Sequence, residues 1–184
     1  MNTLTSCEHH LIEQCKLGNA MAQKTIFEKY SPRMLAMVAR YARDKMEAED
    51  IVMLGFLKVF SKISTFTGNG SFEGWIRRIM VNCALNLHQQ NLRRINTVPI
   101  DQARNLQVGT DTSICEMQYL LAVIQSIPCN LRIPFNLFAI EGYSHKEIAR
   151  ELEITEALSK TRVNRARKAL QAALSTDFHS VLAA

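Results

Sequence analysis

The side chains best equipped for chemistry in this 184-residue chain form two sets of hydrogen-bonding groups at helical spacing. In the stretch from Tyr143 to Leu174, a helix turning about 100° per residue puts Ser159, Val163, Ala166, Ala169, Leu170 and Ala173 on one side. Lys160, Thr161, Asn164, Arg165 and Lys168 fall on the other. The first side is small and apolar and packs. The second is basic, and its Arg and Asn have the donor and acceptor geometry to read guanine and adenine edges. A second stripe, Arg78, Asn82, Asn86 and Gln89, recurs at i, i+4, i+8 and i+11 and can also hydrogen-bond bases. Either set, taken alone, has the composition of a solvated helix face.

Other combinations carry less. Glu49 and Asp50 are more simply a surface contact than an acid–base pair, and no nucleophile, base and orienter are grouped. No Gly-rich phosphate loop precedes a helix, so the chain is not expected to be an enzyme. Cys7, His9, His10 and Cys15 are ligand types suited to zinc. Their spacing matches no common finger, however, and adjacent histidines diverge on a helix, so neither a metal nor another cofactor is expected.

The elements that must position these residues read as helices. Ser144 and Glu147 have capping-box spacing, with Ile148, Ala149 and Leu152 as the apolar face of a short helix. After a turn at 153–155, Thr155 can cap a longer helix with Glu156 in its first turn. Two helices joined so tightly resemble a helix-turn-helix. Asp44 and Glu47 repeat the capping-box spacing before EAEDIVMLGFLKVFSKI, whose apolar residues cover more than one face. Gly55, in its middle, costs about 1 kcal/mol against Ala and marks a close helix contact. The width of the stripe fits either central burial or a surface kept for a partner, and the pattern favours burial. Ser71 caps a helix over 72–91 with Ile76, Ile79, Met80, Cys83 and Leu87 inside and Trp75 in the core.

Toward the amino end, a short amphipathic helix over 6–17 buries Leu11, Ile12, Cys15 and Leu17. Two further helices are expected over 19–30 and 32–42, with Ser31 as the cap between them and Pro32 at a first helical position. Residues 92–113 lose periodicity and read as a linker. A helix over 114–127 is broken at Pro128, and the next runs over 134–141 with Pro134 in its first turn and Gly142 as its stop. No strand pattern occurs. The expected fold is all-α: two small helical domains, 1–91 and 114–184, joined by a flexible linker over 92–113. The second is a four-helix unit ending in the helix-turn-helix.

Composition is compatible with this: 47% hydrophobic and 21% charged residues suit a soluble globular chain. A formal charge of +5 suits a polyanion such as nucleic acid, or equally an anionic membrane surface. Five cysteines without a CxxC argue against a disulfide framework. With neither a leader nor a membrane-spanning run in view, a cytoplasmic protein without membrane insertion is expected.

The segments LGNAMAQKTIFEKY, AEDIV, FLKVF, SFEGWIRRIMVNCALN, IEGYSHKEIA and RARKAL, in this order and spacing, resemble the extracytoplasmic-function sigma factors of bacterial RNA polymerase. The resemblance implies that the amino-terminal domain binds core polymerase and melts the downstream (−10) promoter element. The carboxy-terminal domain would read the upstream (−35) element. It further implies that Glu49, Asp50, Met53, Leu54 and Leu57 meet a coiled coil of the largest polymerase subunit. Arg78, Asn82 and Asn86 would face the downstream element, with Asn82 capturing a flipped base. Lys160, Thr161, Asn164, Arg165 and Lys168 become the upstream contacts, and an anti-sigma factor becomes an expected partner beside core polymerase and promoter DNA. The chain departs from the family's common pattern in Met53-Leu54-Gly55, where Gln-Glu is usual. It departs again in Ala157-Leu158, where Gly-Thr is usual, and in Glu153 at a turn position often held by Gly. Two other readings compete: a stand-alone helix-turn-helix regulator, and a sigma-like interaction module with impaired core binding.

Overall fold

The computed structural model describes residues 6–95 and 112–181. Eight α-helices, a single 3-10 turn and no strand occur among them. The chain divides into two compact units, 1–97 and 98–184.

The first unit holds α1 (Ser6–Lys16), α2 (Ala20–Val38), α3 (Lys45–Lys62), a 3-10 turn at Ile63–Thr65, and α4 (Phe72–Ile95). Asn19 caps α2, accepting the N–H groups of Met21 and Ala22 at 2.9 and 3.2 Å. One continuous helix then runs where two were expected, with Pro32 inside it. Pro32 removes the bond to the Glu28 carbonyl, a defect of about 3 kcal/mol in an isolated helix. Ile26, Tyr30, Met34, Met37 and Val38 stay in helical phase across it and are all buried, so packing along the whole length outweighs the local signal. Glu28 and Pro32 are both exposed, which leaves the orphaned carbonyl within reach of water.

Asp44 caps α3 by accepting the Glu47 N–H at 2.8 Å. The Glu47 carboxylate does not return to the Asp44 N–H as in a full capping box. It takes the Arg43 N–H and the Arg43 guanidinium instead, because the two donors together hold it one residue earlier. It also accepts the Asn91 amide at 3.0 Å, which ties the start of α3 to the end of α4. Ser71 caps α4 through the Gly74 N–H at 3.3 Å, and the helix continues four residues past the expected end at Asn91. The aromatic part of the core joins Phe66, Phe72 and Trp75, with ring centroids 5.1–5.8 Å apart, and Tyr30 meets Phe72 at 5.7 Å. Trp75 is half-buried in that cluster.

On α1, Ile12 and Cys15 are buried as expected, but Leu17 is 80% exposed. It follows the last helical residue, where the chain turns out through Gly18 at φ +79°. Glu8 ties α1 to α2 by accepting from the Tyr30 hydroxyl and from Lys29, the latter at 2.8 Å. Burial pushes the Glu8 carboxyl up, but the bonds from Lys29 and Tyr30 outweigh it and hold it below its ordinary value. Burial, and then the bond to Glu8, push the Tyr30 phenol up to about 12.

The second unit holds α5 (Thr112–Ser126), α6 (Cys129–Ala139), α7 (His145–Glu151) and α8 (Glu156–Val181). Here too a proline misleads: α6 begins at Cys129, with Pro128 at its cap and Pro134 inside, five residues earlier than expected. The Pro128 carbonyl accepts the N–H groups of Leu131 and Arg132, both at 2.9 Å, so the helix is nucleated upstream of Pro134. Ile133 and Leu137 bury its apolar side. Arg132 is buried as well, donating to the Gln125 carbonyl at 3.0 Å and the Cys129 sulfur at 3.1 Å. Held from α6 against the last turn of α5, this cation complements the negative end of that helix. Gly142, at φ +76°, closes α6 as the Tyr143 N–H returns to the Leu137 carbonyl at 2.9 Å.

Candidate nucleic-acid interface

The helix-turn-helix forms as the sequence implies. Ser144 accepts the Glu147 N–H while the Glu147 carboxylate accepts the Ser144 N–H at 2.8 Å, a complete capping box. The turn is closed by the Ile154 N–H on the Ala149 carbonyl at 3.0 Å. Glu153 adopts φ +54° there, a left-handed conformation that costs a side chain about 1 kcal/mol. Thr155 then caps α8, its hydroxyl accepting the Leu158 N–H at 3.2 Å. Ala157 and Leu158 are exposed in that first turn, so the helix entry rests on the cap and on the strained turn.

Small residues seat α8. Ser159, Val163 and Ala166 are buried, and α7 sets the fully buried Ile148 against this helix pair. Sequence reasoning missed His145, which joins the two helices through its ring nitrogen Nδ1, 3.1 Å from the Ser159 hydroxyl. Its ring stacks on Phe138 at 4.3 Å, and the Arg167 guanidinium lies 5.4 Å from the same Phe138 ring. The only sequence signal was a His beside the Ser144 cap, too common a neighbour to single out.

Lys160, Thr161, Asn164, Arg165 and Lys168 are all exposed on the opposite side of α8. Lys160 pairs with Glu156 at 2.8 Å, and that bond holds the Glu156 carboxyl below its ordinary value. Thr161 gives its hydroxyl proton to the Ala157 carbonyl at 2.9 Å, which leaves an acceptor oxygen and a methyl group outward. The face therefore offers phosphate-neutralising cations around one amide and one guanidinium able to read base edges.

The first unit carries two further surfaces. On α4, Arg78, Asn82 and Asn86 are exposed in a row, while Ile76, Met80, Cys83 and Ala84 are buried behind them. Gln89 is half-buried and does not extend the row fully outward. On α3, burial takes Ile51, Val52, Phe56 and Val59, yet Met53, Leu54 and Leu57 are 56%, 50% and 66% exposed. Glu49 and Asp50 are exposed on the same side, Glu49 lying 3.7 Å from Lys45. The broad apolar stripe thus serves two sides at once. A cleft of about 300 Å³ between α2 and α3, lined by Phe27, Pro32, Leu35, Val52 and Met53 with Glu49 at its edge, continues the outer one.

Among the described residues, no three His, Cys, Asp or Glu side chains are grouped to hold a metal. No helix among the described residues is long and apolar enough to cross a membrane. Cys15 and Cys83 are buried free thiols, and burial pushes that of Cys15 up.

Residues 26–94 match the family model of sigma-70 region 2 and residues 117–170 that of sigma-70 region 4. The chain is 26% identical over 180 residues to the RNA polymerase sigma-H factor of Pseudomonas aeruginosa, covering 91% of this chain and 93% of that one. It is 28% identical over 174 residues to the ECF RNA polymerase sigma-E factor of Haemophilus influenzae (88% and 92% covered). To that of Escherichia coli K12 it is 27% identical over 173 residues (87% and 90% covered). The fold matches the sigma factor RpoE of Bartonella quintana, solved in complex with the anti-sigma factor NepR, at a TM-score of 0.59 and 19% identity over 84% of this chain and 97% of that one. Region 2 falls on the helices that carry Asp50 and Asn82, and region 4 on the helix-turn-helix. The chain belongs to the sigma-70 family and is an RNA polymerase sigma factor of the extracytoplasmic-function group.

Proposed function

We propose that this sigma factor divides promoter recognition between two exposed helix faces and does no chemistry itself. Lys160, Thr161, Asn164, Arg165 and Lys168 read the upstream element as duplex. Arg78, Asn82 and Asn86 engage the downstream element as it opens, with Asn82 hydrogen-bonding a base flipped from the stack. Extruding a base costs a few kcal/mol, which pocket hydrogen bonds and stacking must offset. Glu49, Asp50, Met53, Leu54 and Leu57 dock on core polymerase. The functional domains are 1–91 and 114–184, joined by 92–113. The protein works in the cytoplasm. Since the Bartonella quintana relative was solved with an anti-sigma factor, an anti-sigma partner that occludes these faces is part of the proposal.

The observation that carries this reading is the exposed row Arg78, Asn82 and Asn86 on a helix whose other side buries Ile76, Met80, Cys83 and Ala84. Transcription from a promoter library by purified core polymerase, with and without the protein, tests it. Stimulation from a narrow promoter set is expected, together with co-elution with core. Tight duplex binding without any stimulation would instead indicate a stand-alone helix-turn-helix regulator.

A further inference from the structure

Gly55 is buried on α3, and a Cβ built there would lie 2.1 Å from the Met80 sulfur and 2.8 Å from its terminal methyl carbon. Ordinary carbon contacts need about 3.5–4 Å, so the Met80 thioether occupies the space a side chain at position 55 would take. Met80 is fully buried. Its rotatable bonds offer an alternative only if close-packed neighbours yield.

The two residues sit back to back with the proposed working surfaces. Gly55 is two positions from Met53 and from Leu57, hence across α3 from the exposed apolar face. Met80 is two positions from Arg78 and from Asn82, hence across α4 from the exposed polar row. Between them, the notch and its thioether set the distance and the register at which α4 lies against α3.

We infer that Gly55 and Met80 are positioning residues that fix the promoter-facing row of α4 relative to the core-docking face of α3. This rests on the roles assigned above to those faces. A methyl group at position 55 leaves Met53, Leu54 and Leu57 in place, because they lie on the same helix. It displaces α4 or forces the buried Met80 side chain against its packed neighbours, which misaims Asn82.

The test compares Gly55→Ala, Met80→Ala and the double variant with the native chain, each bound to core polymerase. Downstream melting is read by permanganate reactivity of unpaired thymines. Affinity for core and thermal unfolding are measured in parallel. Gly55→Ala should bind core within about twofold of the native chain while melting about 10- to 100-fold less promoter, the scale on which a misplacement near 1 Å acts. The double variant, with the thioether removed, should recover melting to within about threefold. Native melting by Gly55→Ala would overturn the inference. So would parallel loss of core binding and melting, or a folding or melting defect in Gly55→Ala that Met80→Ala does not relieve. If the native chain itself neither binds core nor opens DNA, the underlying assignment of faces fails instead.

Discussion

The two units solve one problem with different materials. Each presents a row of polar side chains on a helix whose opposite side is buried. On α8 the row is mostly cationic, with Lys160, Arg165 and Lys168 around Thr161 and Asn164. On α4 it is one cation and two amides, Arg78, Asn82 and Asn86. Cations suit intact duplex, whose phosphates dominate affinity and make it salt-dependent. Amides suit the exposed edges of an unstacked base, where hydrogen bonds specify and charge adds little.

The seating differs in the same way. The side of α4 facing inward is large and apolar, with Ile76, Met80 and the Phe72 ring cluster. That of α8 is small, with Ser159 hydrogen-bonded to His145. A large apolar seat gives α4 a rigid base, while small residues bring α7 and α8 close together.

Ionisation sharpens this contrast most. Tyr30 is neutral in the folded first unit up to about 12, against 10.0 for an unperturbed phenol. Its folded pKa is raised, so the stability it lends is fully present below pH 10 and is lost as the pH climbs from there through about 12. Glu8 is shifted the other way. Its contribution is present above the ordinary carboxyl value of 4.5 and is lost as the pH falls below that. Loss of α1 docking at both extremes, followed by near-ultraviolet circular dichroism, is the expected result. Tyr30→Phe should weaken the alkaline arm and leave the part contributed by Lys29, which its bond to Glu8 also holds above its ordinary value.

Next in size are the base contacts. Arg165→Ala should cost about 1–3 kcal/mol at one upstream position and relax specificity there; a uniform loss across sequences would mark a phosphate contact. Asn82→Ala should cost a similar amount, about 1–3 kcal/mol, in downstream melting with upstream binding preserved. Glu153→Gly relieves a left-handed side chain and should stabilise the second unit by about 1 kcal/mol in thermal unfolding. The smallest effect is electrostatic. Lys168→Ala should lower the salt slope of upstream binding by about one unit, whereas Asn86→Ala should leave it unchanged.

Much of this organisation was legible in the residues because caps and periodicity are local. Ser144 with Glu147, Asp44, Ser71 and Thr155 cap the helices they were expected to cap. The inner and outer sides of α8 follow from its 3.6-residue repeat, and Gly55 does mark a close helix contact. The failures are places where packing overrules a local rule. Pro32 and Pro134 signal helix starts, yet both lie inside helices whose buried residues keep phase across them. Arg132, on which the sequence pattern is silent, is buried with its guanidinium on the Gln125 carbonyl, a contact seven residues apart that no periodic pattern encodes. Most of the linker expected over 92–113 lies outside the described residues.

The division of labour is tested most directly by open-complex formation on two templates, one fully paired and one with the downstream element premelted by mismatches. If α4 acts on opened strands and α8 on duplex, premelting restores Asn82→Ala to near-native occupancy and leaves Arg165→Ala as defective as before. Equal rescue of both variants, or rescue of Arg165→Ala alone, would contradict the account.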